Sequence, residues 1–172
     1  IRKQFEELGT SLKADLPVLL LLGKVDLRSK RTGFSERMKI LYYIQNLTRQ
    51  FLSKAANTVP VLLDHNDILW LIQPVDTVEA DSAKEMWKKL VLSVHGNMDS
   101  IQYACRQLYD VSVSMVAGSE PLQWSRINAR LDSLRARLRR TVGLNEEALV
   151  IDSGSRELAG RDMDDWPEDG GQ

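Results

Sequence analysis

Two rhythms of apolar and polar positions run through this chain, and the switches between them mark its elements. The stretch from Leu62 to Pro74 organises the rest. Two apolar runs, residues 59–63 (Val-Pro-Val-Leu-Leu) and 68–72 (Ile-Leu-Trp-Leu-Ile), flank the polar tetrad Asp64-His65-Asn66-Asp67. Arms of this composition around an Asp/Asn turn predict a β-hairpin. Because both arms are almost continuously apolar, the hairpin is expected to be central in a sheet and covered by helices.

The elements on either side follow from spacing. Residues 1–15 read as the last turns of an incoming helix, with Phe5 and Leu8 on one face and Gly9 as its stop. Pro17 to Asp26 then reads as a buried strand. A polar loop leads to Ser35, the expected N-cap of a helix reaching about Ala56, with Ile40, Ile44, Leu47 and Phe51 at helical spacing. After the hairpin, Asp76 to Asp81 open a second helix. Its stripe is Ala83, Trp87, Leu90 and Val94, resuming at Met98, Ile101, Cys105 and Leu108, with Gly96-Asn97 as a point of kinking or splitting. Residues 111–116 alternate like a strand, Gly118 ends it, and Pro121 opens a third helix. That helix carries the row Trp124, Ile127, Leu131, Leu134 and Leu138 and stops at Gly143, before a last short strand at 148–151. From Ser153 apolar residues thin out and Asp162, Asp164, Asp165, Glu168 and Asp169 accumulate, the composition of a solvated tail.

The order strand, helix, strand, strand, helix, strand, helix, strand implies an α/β (α+β) fold with a ferredoxin-like, five-stranded mixed sheet and helices packed on it. The expected organisation is an incoming helix end at 1–10, one domain at 11–152 and an acidic tail at 153–172. At 172 residues the chain is long enough for one core without staples. A net charge of −1 gives no general reason to expect a nucleic-acid or membrane partner. A single cysteine excludes an internal disulfide framework and suits a reducing compartment. The longest uncharged apolar run, residues 16–23, is too short to span a bilayer, and no signal-peptide pattern opens the chain. Ile1 is not an initiator methionine, so the chain is expected to be part of a longer protein.

The order of elements, with Pro17-Val-Leu-Leu-Leu-Leu-Gly-Lys-Val-Asp26, Leu69-Trp-Leu-Ile-Gln-Pro74, Val111-Ser-Val-Ser114 and Trp124 through Leu138, resembles the cyclase-type palm of GGDEF domains. The resemblance covers roughly residues 8–152. It is nearer to a degenerate form of that domain, found between the receiver and the AraC-type helix-turn-helix of some bacterial response regulators. In the register the resemblance implies, His65-Asn66-Asp67-Ile68-Leu69 stand where an active cyclase has Gly-Gly-Asp/Glu-Glu-Phe. Only Asp67 and the apolar fifth position match. The family's glycines let backbone approach a nucleotide, and His65 and Asn66 bring side chains there. Active members also carry a metal-binding Asp two residues before a second Asp in the first strand. Lys24 stands at the first position and Asp26 at the second. A lysine ammonium repels the Mg²⁺ that would neutralise a triphosphate. The resemblance therefore implies a domain with no catalytic residues, no cofactor and no resident metal.

Other residues have two readings each. His65 and His95 are the only histidines and lie too far apart in sequence for the close pairs of a structural zinc site. Asp26, Asp64 and Asp67 cluster near one sheet edge, where turn and capping roles compete with weak cation binding. Cys105 lies on an apolar stripe and reads as structural. Trp70, Trp87 and Trp124 occupy apolar positions, while Trp166 in the tail has no assigned role. The third helix carries Arg126, Arg130, Arg135, Arg137, Arg139 and Arg140. They form either a phosphate-contacting surface or a solvated face. Its row Trp124, Ile127, Leu131, Leu134, Leu138 is either an interaction seam or a core stripe.

The functional expectation is a non-catalytic signal-transmission and dimerisation module of a cytoplasmic, two-component transcription regulator. Its partners would be receiver and helix-turn-helix domains of the same protein and a second copy. DNA would be met only through a domain outside this chain, and no membrane is involved. The alternative is a residual nucleotide- or small-molecule-binding domain derived from a cyclase.

Overall fold

The run of leucines ahead of Gly23 forms the central strand of the protein. The computed structural model describes residues 12–28, 33–75, 82–142 and 147–152; the incoming helix, the Asp76 to Asp81 opening and the acidic tail lie outside them. Strand β1 (Leu19–Asp26) is followed by helix α1 (Phe34–Leu52), strands β2 (Ala56–Leu62) and β3 (Asp67–Pro74), and helix α2 (Ala83–Tyr109). Strand β4 (Ser112–Gly118), helix α3 (Ile127–Val142) and strand β5 (Leu149–Asp152) complete it. The five strands lie in the order β2-β3-β1-β4-β5. Only the β4–β5 pairing is parallel, so the sheet is mixed, as expected.

Helices cover both faces, and this is why the inner strands read as unbroken apolar runs. Leu19, Leu21 and Val25 point to one side with Ile68, Trp70, Ile72, Val113 and Met115, beneath α1 and α2. Leu20 and Leu22 point to the other with Leu69, Leu71 and Val116, beneath α3. Each side chain so buried is worth about 1.5–3 kcal/mol over exposure. Gly23 makes room for the largest of them. A Cβ there would lie 2.9 Å from Trp70 Cζ3.

Several boundaries differ from the sequence reading. The hairpin is not central in both arms: β3 is buried throughout, but β2 is an edge strand with half-exposed residues. Pro60, which has no N–H to donate, is compatible with that edge. Helix α1 begins at Phe34 after Gly33, without a side-chain cap from Ser35, and stops at Leu52 because Ala56 onward is recruited to pair with β3. Its fully buried residues are Leu41, Ile44, Thr48 and Leu52, so the buried stripe is turned away from Phe51. Helix α2 is not split at Gly96. It runs 27 residues from a Ser82 cap, whose hydroxyl accepts from Glu85 N–H, to Asp110 in the left-handed region. Leu108, placed on its stripe from sequence, is 64% exposed. Pro121 precedes α3 rather than starting it, and a short 3₁₀ turn (Trp124–Arg126) intervenes.

Among the described residues no helix is long and apolar enough to cross a membrane.

Candidate functional site

The hairpin tip is built by four residues. Leu63 N–H donates to Asp67 O at 2.8 Å, closing the chain over the turn Asp64–Asn66. Asn66 sits at φ 65°, the left-handed region that glycine and asparagine tolerate best. The position that the resemblance equates with a signature glycine is thus one whose backbone favours glycine, and asparagine fills it. The His65 side chain lies outside what is described.

Asp67 opens β3 and is 8% exposed. Strand pairing sets Lys24 of β1 directly across from it, and Lys24 Nζ stands 3.7 Å from Asp67 Oδ1. On the other oxygen, Arg135 Nε from α3 stands 3.6 Å from Oδ2. Both separations exceed hydrogen-bond length, so these two contacts act through charge. With burial, they place two cations around one carboxylate at the spot where a hard divalent ion would need several oxygens.

Asp26 lies two residues beyond Lys24 on the same face of β1 but is engaged separately. Arg28 donates to its carboxylate from Nε at 3.0 Å, from Nη2 at 2.9 Å and from its backbone N–H at 3.0 Å. These bonds hold the Asp26 carboxyl below its usual pKa. The two carboxylates therefore each carry an arginine. Ile68 and Leu69 are fully buried in the two opposite cores and do structural work. Among the described residues no group of three or more His, Cys, Asp or Glu side chains is arranged to hold a metal ion.

The row on α3 is a core stripe. Ile127, Leu131, Leu134 and Leu138 are all buried against the sheet, with Trp124 packed beside them, so the seam reading of this row is corrected by burial. Its arginines divide into two sets. Arg130 Nη2 and Arg137 Nη1 each stand 2.6 Å from one oxygen of Asp152, which is 2% exposed. Arg135 faces Asp67. Arg126, Arg139 and Arg140 remain exposed. Half of the apparent basic face is thus neutralised inside the fold, which removes most of the case for a phosphate-contacting surface.

The pairing of Arg135 with Asp67 and the role of Asp152 were not read from the sequence, which placed Arg135 only among the arginines of the third helix. Arg135 flanks the buried leucine row by one position, and that adjacency was the available signal for a side chain directed along the sheet. Asp152 had none beyond its place at the end of the last strand. The remaining candidates are structural: His95 Nε2 lies 3.0 Å from Gly118 O, donating to it, and the Cys105 thiol is buried and pushed from 9.0 to about 12, chiefly by burial. No family model matches this chain, and no curated protein matches it.

Proposed function

We propose that this domain is a non-catalytic signal-transmission module, a degenerate relative of the GGDEF palm, acting inside a cytoplasmic two-component regulator between a receiver and an AraC-type DNA-binding domain. The observation that carries the reading is the Lys24–Asp67–Arg135 cluster. A catalytic palm needs a carboxylate free to take a metal at the hairpin tip, whereas this carboxylate is flanked by two fixed cations. The strand order, with a hairpin between the second and third strands and the helices on both faces, is compatible with the same relationship. Asn66 in a left-handed conformation at a signature glycine position favours it further.

A module of this kind works by conformational bias. Partners that contact two arrangements unequally shift the balance between them, and no bond is made or broken. Self-association would serve the same role in a dimeric regulator.

A thermal-shift series with GTP, cyclic dinucleotides and Mg²⁺ tests the reading, with light scattering alongside. No shift with any of them, together with concentration-dependent dimerisation, is the expected outcome. A nucleotide present at a hundred times its dissociation constant would stabilise the fold by about 2.7 kcal/mol. Such a shift would replace transmission with ligand binding, and a strict monomer at high concentration would remove the dimeric role.

A further inference from the structure

The chain joins and leaves the sheet at the same end, and one helix is fastened at both places. On the incoming side, Gln73 is 2% exposed; its Oε1 accepts from Lys13 N–H at 2.8 Å, and its amide donates to Lys13 O at 2.8 Å and Leu16 O at 3.3 Å. Trp124 Nε1–H also donates to Leu16 O, at 2.7 Å. Val18 and Leu122 exchange two backbone hydrogen bonds of 2.9 and 2.7 Å. The residues leading into α3 are therefore stitched to the incoming chain.

On the outgoing side, Asp152 pairs with Gly118, one step beyond the Leu21–Ala117 pair and hence level with the start of β1. The two arginines that grip Asp152, Arg130 and Arg137, lie two turns apart on α3. Leu12 and Leu122 from the incoming side and Val150 from the outgoing side pack on one apolar core with Ile127, Leu131, Leu134 and Leu138. A buried carboxylate between two arginines resists separation, because removing either partner leaves charge out of water without compensation.

We infer that α3 is a strut that couples the incoming chain to the outgoing strand. A displacement of residues 13–18 moves Trp124 and Leu122, tilts α3, and is passed through Arg130 and Arg137 to Asp152. The inference names the path of the proposed transmission and takes its biological meaning from that role, but the coupling itself is a property of the fold.

Amide hydrogen exchange on the full 172-residue chain tests it. Trp124→Phe keeps an aromatic side chain, deletes the indole N–H donor and trims part of the ring system. It is expected to accelerate exchange about fivefold at Leu16 and Val18, the effect of one neutral hydrogen bond, and to accelerate exchange at Val150 as well. Asp152→Asn is expected to do the reverse, loosening β5 together with Val18 and Leu122, since coupling is reciprocal. Arg137→Lys serves in its place should Asp152→Asn fail to fold. Edge strand β2 should keep its wild-type rates throughout. Changes confined to the mutated side would overturn the strut, as would acceleration that includes β2, which signals general loosening. Nucleotide binding would defeat the transmission role while leaving these exchange patterns as they are, so the two failures are distinguishable.

Discussion

Asp67 is almost out of water and faces a lysine from the neighbouring strand and an arginine from the helix above. Removing its charge leaves those cations repelling each other across an amide. Asp67→Asn is expected to cost about 1–2 kcal/mol in urea unfolding, a value held down by the partial exposure of Lys24 and Arg135. At Gly23 the limit is steric. A methyl group would meet the Trp70 ring at 2.9 Å, with Val113 Cγ1 at 3.4 Å, so Gly23→Ala should lower stability by about 1–3 kcal/mol in the same measurement. Cys105 supplies a pH dependence. Its folded thiol titrates at about 12 against 9.0 when free, so the folded state keeps its proton longer than the unfolded one. That contribution is complete below pH 9.0 and is lost as pH rises towards about 12. A thiol reagent at pH 8 should therefore label the native protein far more slowly than the urea-unfolded chain.

At the scale of elements, periodicity carried most of the fold. Unbroken apolar runs gave β1 and β3, and spacing of three and four gave all three helices, because burial on one stripe or two faces leaves its record in the local sequence. What periodicity cannot carry is pairing between distant segments. Which arm of the hairpin lies at the edge depends on what pairs with it, and only Pro60 hinted at the answer. The Asp67–Arg135 and Asp152–Arg130 contacts join residues far apart in sequence, with no local mark, so half of the candidate site was legible as Lys24 and Asp67 and the other half was not. Gly96 misled for a related reason. Its low helix propensity predicted a break, yet α2 packs along its whole length and carries the glycine through. A Cβ at Gly96 would meet nothing within 4 Å. Gly96→Ala is accordingly expected to stabilise the protein by about 1 kcal/mol, raising the urea midpoint with its slope unchanged.

Across the described residues, the two ends of the sheet carry different features. At the hairpin end, Lys24 and Arg135 flank Asp67, the position that the proposed kinship with a palm enzyme equates with a metal site. At the opposite end, Gln73, Trp124 and Asp152 fasten the incoming and outgoing chain to the same scaffold. On the proposed reading, such a fold passes displacement between two connections and carries out no chemistry at its tip. The most direct test of that account is to incubate the purified chain with GTP and Mg²⁺ and separate the nucleotides chromatographically. The account predicts GTP recovered unchanged with no cyclic dinucleotide, and accumulation of a cyclic product in proportion to protein concentration would contradict it.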